Sequence, residues 1–99
     1  MKIKIPKKIE VIGSTVEIIW DEEYCERFGV LGQADANHNK IFLKKIHENK
    51  KFTDDALVET FLHELVHFMM RKLGKTDLNA DETFVESFSN VLHQVIKQL

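Results

Sequence analysis

The sequence has only one cysteine, Cys25, so it can form neither an internal disulfide nor a metal site of several thiolates. Its formal charge of −2 is too small to attract nucleic acid or an anionic membrane through the overall field. No apolar run is long enough to span a bilayer. Charged residues also interrupt the N-terminal stretch, where a signal peptide would need an apolar core. These shortages predict a protein of the reducing cytoplasm that binds neither nucleic acid nor membrane.

The length and the composition indicate one ordinary globular domain. Hydrophobic residues make up 43% of the 99 positions and charged residues 30%, a balance typical of soluble proteins. No internal repeat, low-complexity tract or linker divides the chain. We therefore expect a single domain over residues 1–99.

The first half of the sequence predicts strands. Apolar residues alternate with others over 9–11 and 16–20, the period of a sheet with one buried face. Gly13-Ser14 lies between these runs and suits a two-residue hairpin turn. A short helix from Asp21 to Phe28 is expected to end at Gly29.

A second hairpin is predicted from Val30 to Lys45, because residues 35–39 at its centre are rich in turn formers. Ile41 and Leu43 would then face the core. If the strand from Lys40 to Lys44 is the sheet edge over a cleft, a peptide could add to it by main-chain hydrogen bonds. Its lysines could instead protect an exposed edge.

The second half predicts two helices, which makes the fold class α+β. Thr53 is a good N-cap for the first helix, and Gly74 is a plausible stop. From Leu57 to Leu73 the helix is apolar around most of its circumference, so it should be buried. A second helix, antiparallel to the first, is expected to begin near Asn79 and to carry one broad apolar arc.

The first helix contains the motif H-E-x-x-H, formed by His63-Glu64-Leu65-Val66-His67. Residues four apart share one face of a helix, so both imidazoles can reach a single zinc ion. Glu64 points about 100° round the helix, where it can touch a metal-bound water without ligating the metal. The alternative is a helix with its histidines on a solvent edge. The apolar surroundings favour a metal site, because unpaired polar groups are costly to bury.

A zinc site with two histidines needs a third protein ligand and an open position for water. The metzincin motif would require glycine at position 70 and histidine at position 73, but the chain has Met70 and Leu73. The third ligand must therefore come from elsewhere in the chain.

The helix hairpin offers Glu86 as that ligand. If the helices reverse around residues 76 and 77, Glu86 lies level with His67, and Asn90 lies level with His63 and can orient it. Glu82 is the alternative third ligand, because it lies one turn earlier on the same polar side of the second helix. It also suits a capping role, paired with Asn79 as the N-cap.

These motifs resemble those of known zinc peptidases. His63-Glu64-Leu65-Val66-His67 followed by Glu86 is similar to the gluzincin arrangement. Glu86-Ser87-Phe88-Ser89-Asn90 resembles the E-x-x-A-N segment of ImmA/IrrE-type metallopeptidases, with Ser89 in place of the usual alanine. Gly32-Gln33-Ala34-Asp35 resembles a hairpin of small zincin-like proteins from phages and mobile elements. The resemblance covers roughly residues 29–96 and implies a zinc peptidase with a small antiparallel or mixed sheet packed on the motif helix.

The expected mechanism uses zinc to activate a water and Glu64 as the general base. Tyr24, His38 and His93 are candidates for stabilising the oxyanion, although for His93 a partly exposed position on the last helix is the expectation we favour. His47 is expected in a solvated loop. Two functions stay open: an endopeptidase acting on a peptide or protein such as a repressor, and a latent zinc-bound regulatory domain of a phage or mobile element.

Overall fold

Residues 3–99, the part that the computed structural model describes, form strands and one short helix first and longer helices afterwards. The elements in chain order are β1 (Lys8–Val11), β2 (Ser14–Trp20), α1 (Glu22–Phe28), β3 (Gly32–Asp35), β4 (Lys40–Leu43), β5 (Ile46–His47), β6 (Lys50–Lys51), α2 (Asp54–Lys72), α3 (Thr76–Asn79) and α4 (Glu82–Lys97). This composition confirms the predicted α+β class. In residues 3–99, no helix combines the length and the apolar character that a membrane span requires.

The main sheet is mixed and has the strand order β1-β2-β4-β3. Strands β2 and β4 run parallel, with α1 in the crossover between them, and the other two pairings are antiparallel. Strand β4 is therefore an inner strand. The expectation that Lys40 to Lys44 form the edge is wrong, because the edge on that side is β3.

Local signals place most of the element ends. Asp21 accepts a hydrogen bond from the Tyr24 N–H at the start of α1, and Gly29 ends that helix in the left-handed region at φ 64°. Thr53 caps α2 by accepting from the Ala56 N–H, as predicted. The first hairpin turn lies one residue earlier than expected. Its centre is Ile12-Gly13, with φ of 49° and 76°, the two positive values that a type I′ turn requires.

The hydrophobic core lies between one face of the sheet and α2. Ile41 and Leu43 of β4 are almost fully buried, which confirms their predicted orientation. The remaining buried members of this core come from β1, β2 and α2: Val11, Val16, Ile18, Val58, Phe61, Leu62, Leu65 and Phe68. Sheet contacts thus fix the position of α2, the helix that carries H-E-x-x-H.

Helix α4 packs antiparallel against α2, but the segment before it differs from the prediction. The chain does not enter the second helix at Asn79, because residues 76–79 form the separate helix α3, which contacts the end of α2. Asp81 caps α4 instead, its carboxylate accepting from the Phe84 N–H at 3.0 Å. The extra turn of helix in the connection determines where α4 begins along α2.

Candidate metal centre

His63 and His67 lie one turn apart on α2, with ring centroids 5.0 Å from each other and both side chains mostly buried. The Nε2 atoms of both rings face the carboxylate of Glu82, at 3.4 Å for His63 and 3.0 Å for His67. One ligand atom from each of these three residues lies within 4.8 Å of the other two. Two imidazole nitrogens and one carboxylate are a donor set that zinc accepts.

Glu82 therefore takes the place in this group that was predicted for Glu86. The prediction assumed a direct reversal around residues 76 and 77, which would bring Glu86 level with His67. In the structure, α3 lies beside the end of α2, and this displaces α4 along α2 by about one helical turn relative to the prediction. Glu82, and not Glu86, therefore reaches His67. The capping role considered for Glu82 is also wrong, because Asp81 caps α4.

Each histidine has a second partner at its other ring nitrogen. Nδ1 of His67 lies 2.9 Å from the side-chain oxygen of Asn79, and Nδ1 of His63 lies 3.0 Å from Glu86. Asn90 was expected to bond His63 directly. Its amide instead donates to Glu86 at 3.5 Å, so it acts on the histidine through that carboxylate.

These partners determine which nitrogen of each ring is free. An acceptor at Nδ1 holds the N–H there, so a neutral ring presents its Nε2 lone pair. Both lone pairs then face the carboxylate of Glu82. The two nitrogens and the carboxylate are all hydrogen-bond acceptors, so none of them can donate a hydrogen bond to another. A single shared divalent cation satisfies the whole arrangement, so the residues fit a zinc ion.

Glu64 lies beside this group but points towards the sheet. Its side chain is 9% exposed, and its Oε1 accepts a hydrogen bond from the Ala34 N–H of β3 at 3.0 Å. Burial raises the pKa of Glu64, while the nearby His63 and His67 and the Ala34 N–H act in the opposite direction. A carboxyl with a raised pKa and one anchored oxygen has the character of a general base.

Two clefts, each of about 390 Å³, meet at Gly32, His63 and Glu64. One extends along α4 to Glu86 and Asn90, and the other extends past His67 to Arg71 and Asn79. The backbone of β3 approaches α2 closely here, because a Cβ on Gly32 would lie 2.9 Å from Cγ2 of Thr60. The two clefts therefore share His63 and Glu64 in their walls.

Two of the predicted oxyanion donors lie outside these clefts. Tyr24 stacks on Phe42 with ring centroids 3.9 Å apart. It borders a neighbouring depression that the clefts do not include. His38 pairs with Asp35 at 2.9 Å and is largely exposed at the tip of the second hairpin. Neither side chain is brought to the histidine pair.

His93 faces a different part of α2. It is buried at 6% exposure, so the expectation of a partly exposed residue is wrong. Its ring nitrogens lie 3.6 Å from Glu59 and 3.9 Å from Asp55, in the first turns of α2. His47, expected in a loop, lies in β5 with an exposed side chain.

Two side chains at the site were not among the predicted site residues. Arg71 lines the second cleft one turn beyond His67, where continuing the four-residue spacing of the motif would have found it. Asn79 was considered only as a cap, and its contact with His67 depends on α3, for which we identified no signal.

Comparisons with protein-family models, with curated proteins and with solved structures find no match to this chain.

Proposed function

We propose that this protein is a zinc-dependent metallopeptidase, with His63, His67 and Glu82 as metal ligands. The observation that carries the proposal is the buried carboxyl of Glu64 beside two histidines whose Nε2 atoms face one further carboxylate. A structural zinc site closes with a fourth protein ligand and has no need of an adjacent base. In the described part of the chain, the group has three members, which suits an open catalytic position.

The roles of the protein side chains follow from their contacts. Asn79 and Glu86 orient the two imidazoles through the Nδ1 atoms. Zinc at this group would supply Lewis acidity, lowering the pKa of a water and polarising a peptide carbonyl. Glu64 accepts a proton from the attacking water and passes it to the leaving amine. The clefts on either side of Glu64 accommodate the chain of a peptide on both sides of the scissile bond.

The test combines metal content with proteolysis by the full chain. We expect about one zinc per chain in elemental analysis and native mass spectrometry, and loss of this zinc in His63→Ala and His67→Ala. Wild-type protein should cleave members of an unbiased quenched-fluorescence peptide library. Glu64→Gln should retain zinc and lose nearly all cleavage, because the amide cannot act as a base.

Glu26→Gln provides the matched control, since it makes the same change at an exposed position on α1. This variant should keep both zinc and cleavage. Zinc that survives in both histidine variants would refute the ligand assignment. Zinc binding without cleavage of any library or protein substrate would instead favour the regulatory domain.

A further inference from the structure

Helix α4 buries one face against α2 and leaves a second apolar face in solvent. Val85, Ser89 and His93 form the buried face. The second face consists of Phe84, Phe88, Val91 and Val95, which we call the outer ridge. Phe88 is 45% exposed, Val91 61% and Val95 51%, and Phe84 packs its ring on Phe88 with centroids 5.6 Å apart. The described residues provide no cover for this ridge.

The outer ridge lies away from the candidate metal centre. At about 100° per residue, its members fall roughly 180° round the helix from Glu82, Glu86 and Asn90. A partner on the ridge would therefore leave the clefts open. The inference is thus independent of the proposed peptidase activity.

The spacing of the ridge is symmetric about its midpoint. Its members follow one another at intervals of four, three and four residues, the pattern of a coiled-coil seam. Reversing the helix direction reproduces the same spacing. In an antiparallel pair, Phe84 of one copy would face Val95 of the other, and Phe88 would face Val91. Each large side chain then meets a small one, which favours dense packing.

The charge around the outer ridge also favours a second copy. Thr83, Ser87, Gln94 and Gln98 border it on the solvent side, and none carries a charge, although 30% of the chain is charged. Two identical surfaces can approach without like-charge repulsion. An anionic membrane would find no lysine or arginine on this border, and amphipathic helices that bind such membranes depend on these residues.

We propose that the outer ridge is a self-association surface, on which two copies of this chain pack α4 against α4 in antiparallel orientation. The two-fold axis passes between residues 89 and 90, so each contact occurs twice, as in an isologous interface. The ridge is about 16 Å long at 1.5 Å per residue. An interface of this length buries roughly 1,000 Å² in total, at the lower end of specific contacts. We expect a weak dimer, with a dissociation constant on the order of 10 to 100 μM.

Sedimentation velocity of the full chain from about 1 to about 500 μM tests this surface. Wild-type protein should shift from monomer to dimer across the range. Phe88→Lys and Val91→Glu should each weaken the dimer at least about tenfold, because each places a charge in the centre of the contact. Both positions are exposed in the monomer, and thermal melting checks that the variants fold. Phe28→Lys, at an exposed phenylalanine on α1, is the control and should dimerise like wild type.

Mixing the two variants tests the orientation. In the antiparallel pair, the lysine of Phe88→Lys meets the glutamate of Val91→Glu, while Phe88 and Val91 of the other half of the interface stay intact. An equimolar mixture should therefore regain dimers that neither variant forms alone. A monomeric wild type at every concentration would overturn the proposal. So would dimers that persist in both variants, or a mixture that stays monomeric.

Discussion

The backbone N–H of Ala34 donates a 3.0 Å hydrogen bond to Oε1 of Glu64, which joins the edge strand β3 to α2 across 30 residues of sequence. The bond restricts the rotamer of a carboxyl that would otherwise have three side-chain torsions to order. It also leaves Oε2 of Glu64 available to other molecules. The sheet therefore contributes to the candidate site by positioning Glu64, the proposed base, while α2 and α4 provide the histidines and the acids.

The first prediction separates the two acids of α4. Glu82→Gln should weaken zinc binding more than Glu86→Gln, because only the Glu82 carboxylate faces Nε2 of both histidines. Glu86→Gln should cost about ten- to a hundredfold in affinity, the range for a partner that orients a ligand. Competition against a chromogenic chelator measures both. A larger loss in Glu86→Gln would restore Glu86 as the ligand.

The second prediction concerns Asn79, whose side-chain oxygen lies 2.9 Å from Nδ1 of His67. Asn79→Ala should weaken zinc binding about ten- to a hundredfold, because His67 loses the acceptor that holds its Nδ1–H. Asn79→Asp keeps an acceptor at this position and should retain affinity. Asp77→Ala, on the exposed side of α3, is the control. Equal affinity in wild type and Asn79→Ala would show that this contact has no role in binding.

The third prediction concerns the close approach of β3 to α2 at Gly32. In Gly32→Ala, the new Cβ would lie 2.9 Å from Thr60 and 3.2 Å from Cγ of Glu64. We expect the free energy of unfolding to fall by about 1–3 kcal/mol, since β3 must move outward. Gln33→Ala on the same strand is exposed and should change it by less than about 0.5 kcal/mol. Urea titration of both variants measures the difference, and equal stability would contradict the packing described here.

The fourth prediction concerns Cys25. Burial raises the pKa of the thiol from 9.0 to about 11. Because the folded state holds this proton more tightly than the unfolded state, the contribution to stability is complete below pH 9.0 and is lost as the pH rises towards 11. Native protein at pH 8 should react slowly with iodoacetamide and react rapidly once unfolded. Cys25→Ala should show a smaller loss of stability than wild type over the same pH range.

Local signals explain why His63, Glu64 and His67 of the candidate site were predictable. The four-residue spacing of His63 and His67 puts them on one face of any helix, whatever surrounds it. Thr53 and Gly29 mark element ends through their own backbone or side-chain chemistry. Such features depend on neighbours in sequence, so they are visible without tertiary structure.

The errors occurred where position depends on distant contacts. The path of residues 73–81 determines which residue of α4 lies opposite His67. A shift of α4 by one turn along α2 would place Glu86 there in place of Glu82. The parallel pairing of β2 with β4 also joins segments separated by α1, so alternation alone could not place β4 inside the sheet. The outer ridge was predicted as part of one broad apolar arc, because helical periodicity does not reveal how much of an arc the partner helix covers.

The short helix α3 makes the connection between α2 and α4 sensitive to its length. It lies at the surface, where loops commonly tolerate inserted residues. One residue added between Gly74 and Asp81 would have to be absorbed there, or α4 would turn by about 100° and carry Glu82 away from the histidines. The hairpin tip at residues 36–39 does not determine the position of Glu82 or of the two histidines. Insertions compatible with the site should therefore be found at the tip and not in the helical connection, although both segments lie at the surface.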